Sequence, residues 1–163
     1  MALLADRPDI MLLFIGDGNR RSALEQAAKV RRLNNVRFLP FQSSDQLRWT
    51  YASSDVCLVS LKPGLAGYIV PSKLYPILAA GRPYIACVET ASEVAALTDR
   101  HRCGVVVTPD DAAQLAAEIH RLADQPHERA AMGSRARLAA ELFCRERQVS
   151  AHAAVIRAVA SRS

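Results

Sequence analysis

Pro71, Ser72 and Lys73 stand where an apolar helix is expected to begin, and a lysine there adds nothing to the buried stripe of Leu74, Ile77 and Leu78. A serine hydroxyl capping that helix, free amides in its first turn and an adjacent ammonium group would together form a receptor for a diphosphate. A merely solvated lysine is the other reading. The second candidate is GDGNRR at residues 16–21. Gly16 and Gly18 would let backbone approach a ligand closely, and Arg20 and Arg21 could face anions, although a plain tight turn would use the same glycines. The dinucleotide fingerprint needs a third glycine where Arg21 stands, and no acid closes the second strand near Arg37 or Phe38, so this is not read as an NAD site. GKS and GKT are absent, which removes the P-loop. No Asp-x-Asp lies near these turns, and no metal is assigned. His101, His120, His127 and His152 lie far from them in sequence and read as surface residues.

The elements that must position these turns alternate along the chain. Strand-like runs at MLLFIG, NVRFLPF, DVCLVSL, PYIACV and GVVVTP are separated by helical stretches at about residues 20–33, 45–52, 73–80 and 92–97. Three more helices are expected at about 111–124, 127–142 and 146–159. Strand–helix alternation implies right-handed crossovers and parallel strands. The expected fold is therefore α/β: a doubly wound, mostly parallel, Rossmann-like sheet in a single domain over residues 1–163, with extra C-terminal helices. The strands are apolar on consecutive residues, as a sheet covered on both faces requires. Leu115, Ile119 and Leu122 form one buried helical stripe, and Val149, Ala153, Ile156 and Ala160 another. Gly81 followed by Pro83 should stop the third helix, and Thr108, Pro109 and Asp110 should separate the fifth strand from its helix. Ligands of such sheets bind where strand ends meet helix starts, which is where both candidate turns lie.

Composition narrows the function classes. The 163 residues are 50% hydrophobic and 23% charged, enough apolar material for a core. The apolar runs are strand-sized, far short of the roughly 18–20 residues of a membrane span. The start, MALLADRPDI, lacks the basic region and long apolar stretch of a secretion signal. Cys57, Cys87, Cys103 and Cys144 are widely spaced and read as reduced thiols of a cytosolic protein. The net charge of +5 favours anionic partners such as nucleotides or sugar phosphates, or else simply solubility. Few aromatic residues and no recognition motif argue against nucleic acid.

LLFIGDG, NVRFLPF, the Ala-Ser-Ser-Asp entry to DVCLVSL, PSKLYPILAAGRPYIA and CGVVVTPDD, taken in that order and spacing, resemble the C-terminal, nucleotide-sugar-binding half of family 4, group 1 glycosyltransferases of GT-B architecture. The PSK and LAAGRP forms are similar to the branch that builds envelope polysaccharide with N-acetylfucosamine or fucose. This resemblance implies a retaining transferase using a UDP- or GDP-sugar, without a further cofactor. It places Gly16, Gly18 and Arg20 at the donor cleft, Phe41 beside the base, and Gly67 and Tyr68 in the loop near the sugar. Pro71, Ser72, Lys73 and Leu74 would receive the diphosphate, Lys73 offsetting the charge of the leaving group.

Departures accompany the match. The two glutamates that many members carry across this loop and helix are replaced by Tyr68 and Pro76, so ribose recognition is expected to differ. By the same resemblance, a strand, a helix with phosphate-clamping Arg and Lys, and the acceptor-binding N-terminal domain are expected to lie outside this chain. The chain alone is then expected to bind donor weakly and to turn nothing over. The acceptor would be a glycan or a lipid-linked sugar. Arg145, Arg147, Arg157 and Arg162 could touch anionic lipid at the membrane's cytoplasmic face or form a solvated helix face. A sugar-nucleotide epimerase drawing on Glu89 and Glu93, and a non-catalytic interaction module, are the alternatives.

Overall fold

The structure, a computed structural model, describes residues 2–161. Five short strands alternate with helices: β1 (Leu12–Ile15), α1 (Arg21–Val30), β2 (Val36–Leu39), α2 (Leu47–Ala52), β3 (Cys57–Ser60), α3 (Leu74–Ala79), β4 (Tyr84–Cys87), α4 (Glu93–His101) and β5 (Gly104–Val107). Helices α5 (Ala112–Asp124), α6 (Pro126–Ala140) and α7 (Arg145–Ala160) complete it. All strand pairs are parallel, as the alternation requires. The single expected sheet is instead divided in two: β1 pairs with β2, and β3, β4 and β5 form a separate ladder in that order. Among the described residues no ladder joins β1 to β3.

The core gathers on the larger sheet. Leu74, Ile77 and Leu78 of α3, Val94 and Leu97 of α4, and Ala136 and Ala139 of α6 pack with Tyr84 and Val88 on one side. Ile85, Val107, Leu122 and Met132 fill the other, with Leu115 and Ile119 against them. β4 is therefore covered on both faces, and its unbroken apolar sequence follows from that. β1 and β3 are not: Leu13 and Leu58 each remain 40% exposed. Helices α1, α2 and α7 bury no residue. The expected buried stripe on α7 is thus corrected, with Val149 60% and Ile156 67% exposed; the pattern gives that helix an apolar face, but no described element covers it.

Local chemistry explains the boundaries. Gly81 adopts φ +63, its N–H donates to Leu78 O, and Arg82 N–H donates to Ile77 O. This is a Schellman closure, and it requires the left-handed region that glycine occupies without strain. Ser92 caps α4 by accepting from Ala95 N–H, and Asp111 caps α5 by accepting from Gln114 N–H at 2.8 Å. Gly133, an apparent helix breaker in α6, is a point of close approach: a Cβ there would meet Gly81 O at 2.5 Å.

Arginines close the other ends. Arg82 donates to Ala52 O at the end of α2, Arg137 to Ala79 O at the end of α3, and Arg135 to Arg102 O just beyond α4. Arg129 donates to Leu122 O and Ala123 O in the last turn of α5. Each satisfies carbonyls left over by a helix, where the negative dipole end favours a cation. Part of the basic excess is therefore structural.

Candidate functional site

The candidate turns lie at the carboxyl ends of parallel strands, and the structure divides their residues between exposed positions and structural duties. After β1, Gly16 takes φ +118, a conformation suited to glycine, whereas Gly18 has no positive φ. A Cβ at either would meet nothing within 4 Å. Arg21 is not left free for a ligand, being paired within the protein. It donates to Asp17 Oδ1, Glu25 Oε1, Gly16 O and Leu39 O within 2.8–3.0 Å, clamping the turn to the end of β2. Arg20 next to it is exposed and makes no ion pair among the described residues. Asp17, which the sequence reading passed over, bridges Arg21 to Phe41, whose N–H donates to Asp17 Oδ2 at 3.2 Å. That contact sets the start of the segment after β2. The Phe41 ring is left 73% exposed.

Residues 62–73 follow β3. Gly64 and Gly67 both have φ +81, which lets this loop fold back on itself. Leu65 N–H bonds Lys62 O, and Tyr68 N–H bonds Leu65 O. The loop is tied from a distance: Glu89, just past β4, accepts from Gly64 N–H at 3.0 Å and Ala66 N–H at 3.4 Å. Glu93 instead lies in the first turn of α4, where a carboxylate complements the helix dipole. Tyr68 projects outward, 85% exposed.

The start of α3 differs from expectation in two ways. The helix begins at Leu74, Lys73 occupies the cap position, and no side chain caps it. Ser72 is therefore not a capping residue. Leu74 is not available to a ligand either, because its side chain is fully buried and its N–H donates to Pro71 O at 3.0 Å. What remains is an exposed Lys73, an exposed Ser72, and their two N–H groups, which donate to nothing among the described residues. Pro76 falls inside the first turn, where the missing N–H costs little.

The other reactive side chains play no part in these turns. The four cysteines are free thiols. Burial pushes the Cys57, Cys87 and Cys103 thiols up, so they stay protonated rather than nucleophilic. His120 lies against Arg7 at 3.3 Å and His152 against Gln148 O, both on helices away from the turns. Among the described residues no His, Cys, Asp or Glu group could hold a metal ion. None of their helices is long and apolar enough to cross a membrane. Arg145, Arg147 and Arg157 sit on exposed α7; Arg162 lies outside the described residues.

Parallel strands alternating with helices, with glycine-bearing turns at the strands' carboxyl ends, define an α/β, Rossmann-like protein of the GT-B type. The chain belongs to the glycosyl transferases group 1 family, whose model matches residues 1–125. It is 34% identical over 119 residues to WcaI of Escherichia coli (strain K12), whose name assigns it to colanic acid biosynthesis as a glycosyl transferase. That match covers 72% of this chain and 29% of WcaI. It is 30% identical over 111 residues to WbjE of Pseudomonas aeruginosa, named as a glycosyltransferase, covering 68% of this chain and 28% of that protein. The matches thus span under a third of either relative. In fold, it resembles sucrose-phosphate synthase from Thermosynechococcus elongatus, with a TM-score of 0.82 at 23% identity over 99% of this chain and 41% of that one. Anabaena HepE, solved with UDP-glucose, gives 0.73 at 22% identity over 98% of this chain and 43% of that one.

Proposed function

We propose that this chain is the donor-binding half of a retaining, family 4 glycosyltransferase that moves a sugar from a nucleoside-diphosphate sugar to a glycan or lipid-linked acceptor in cell-envelope polysaccharide synthesis. The observation that carries the reading is the exposed Lys73 beside the two uncommitted N–H groups of Ser72 and Lys73, at the end of a loop latched by Glu89. In this reading Lys73 neutralises the diphosphate as the glycosidic bond breaks, and the two amide N–H groups donate to its oxygens. Arg20 adds a second cation, Phe41 flanks the base, and the loop holding Gly67 and Tyr68 meets the sugar. The chemistry runs in the cytoplasm, with any membrane contact peripheral. The UDP-glucose complex of HepE and the name of WcaI favour a UDP-sugar and an envelope glycan as the first substrates to try.

Calorimetric titration of the purified chain with UDP and GDP, beside Lys73→Ala, tests this. The expected result is nucleotide binding that the substitution weakens by about 1–3 kcal/mol, the loss of a charge-assisted contact. Equal binding by both proteins would remove Lys73 from the site.

A further inference from the structure

Several arginines of the larger half are committed to carbonyls at helix ends, among them Arg82, Arg129, Arg135 and Arg137. Lys29, Arg32 and Arg37 are not. All three are exposed, and among the described residues their side chains make no hydrogen bond or ion pair. They line one open groove of about 810 Å³, formed where the last turn of α1 and the loop after it pass beside β2. The groove lies toward the amino end of β2, whereas the turns after β1 and β3 lie at the carboxyl ends of their strands.

Its chemistry is two-sided. Val36 and Phe38 alternate onto one face of β2, and with Leu33 they give the groove an apolar floor. The Phe38 ring is held by Phe14, stacked on it with centroids 5.1 Å apart. Glu25 is the only acid among the described lining residues, and Arg21 Nε already donates to it at 2.9 Å. The three cations therefore have no carboxylate of their own. Asn34, exposed in the same lining, adds a side-chain amide that donates and accepts.

Ordinary duties account for these cations singly but not jointly. A lysine in the last turn of α1 complements the helix dipole, and a charged residue on an edge strand discourages mispairing. Arg32 fits neither duty. It stands past the end of α1 at φ +50, where its N–H donates to Lys29 O and Leu33 N–H donates to Ala28 O. Glycine makes such a closure without strain, as Gly81 does after α3. An arginine held there, with its guanidinium uncommitted and two more free cations in the same groove, marks a place for an anion.

We propose that this groove binds an organic phosphate, a phosphate ester whose charge meets Lys29, Arg32 and Arg37 while its apolar body lies over Leu33, Val36 and Phe38. Guanidinium forks pair phosphate oxygens two at a time. The volume falls within the roughly 300–1,000 Å³ of small-ligand sites. A concave groove with an apolar floor fits a single molecule rather than the plane of a bilayer. It lies apart from the turns after β1 and β3, and its occupancy does not depend on theirs.

The test uses the whole chain, labelled with 15N, and α-naphthyl phosphate as probe, with α-naphthol and inorganic phosphate as controls. Saturable shifts are expected at the amides of Arg32, Asn34, Arg37 and Phe38, weaker with inorganic phosphate and absent with α-naphthol. Arg32→Gly separates folding from binding: it relieves the left-handed backbone, so the thermal midpoint should hold or rise, while probe affinity falls by about three- to tenfold. Arg37→Gln should weaken the probe similarly, and Lys73→Ala should leave these shifts unchanged. Shifts confined to residues 16–21 and 72–74, undiminished affinity in both arginine variants, or equal binding of α-naphthol would each overturn the proposal. Capture by phosphatidylglycerol vesicles without any binding of the probe would overturn it too, in favour of a bilayer.

Discussion

The β3–β4–β5 half and the β1–β2 half are built from similar strand–helix units, yet one carries a closed core and the other does not. In the first, Leu78, Tyr84, Ile85 and Val94 are fully buried between helices on both faces. In the second, α1 buries nothing. The smaller half is fastened by a few contacts: Leu4, 1% exposed, whose carbonyl accepts from Asn35 Nδ2, and Arg7, which spans Asp9 and Asp124 at 2.8 Å. Exposed ion pairs of this kind contribute at most about 1 kcal/mol. Cooperativity should therefore be concentrated around β4, with β1 and β2 opening more readily.

The contrast is most strongly tested by emptying the closed core. Leu78→Ala should cost about 2–5 kcal/mol by loss of burial plus a cavity, measured by urea unfolding with far-UV circular dichroism. A comparably large effect from Leu24→Ala on the exposed α1 would break the contrast. Next comes Leu4→Ala, expected to cost about 2–3 kcal/mol and to act locally. Hydrogen exchange should speed up in β1 and β2 while β4 keeps its protection; uniform acceleration would mean the two halves unfold as one. The smallest effect concerns pH. Burial drives the Tyr84 hydroxyl well above its ordinary value of 10, with Cys103 and Thr98 as neighbours. The native state keeps that proton while the unfolded chain releases it above pH 10. The stabilisation is full below pH 10 and declines as pH rises, by at most about 1.4 kcal/mol per unit. Tyr84→Phe should flatten that part of the profile, and an unchanged slope would assign it to the buried thiols.

The alternation of strands and helices was legible because each strand carries a continuous apolar run and each boundary its own chemistry, as Gly81 and Asp111 illustrate. The division of the sheet was not, because a run such as CLVS states that a strand wants neighbours without stating that they are present. The α7 stripe failed similarly: Val149 and Ile156 define a face, and only tertiary structure decides whether it is covered. At the candidate site, Lys73 and Gly16 were readable as residue types at strand ends. The Glu89 latch joins residues 25 apart in sequence, and no local pattern encodes it. Arg21 resembled Arg20 in sequence, and only the positions of Asp17, Glu25 and Leu39 turn it into a clamp. Leu74 was excluded by its own helix, which begins one residue later than the serine implied.

The arginine closures of the helix ends have a direction in time. For α2, α3 and α4 the donor lies downstream by 30, 58 and 33 residues. During synthesis a nascent chain that has completed α3 still lacks Arg137, and the Ala79 carbonyl stays with water until most of α6 has left the ribosome. Closure of these helix ends thus lags behind their appearance, and α6, carrying both Arg135 and Arg137, completes two of them in one step.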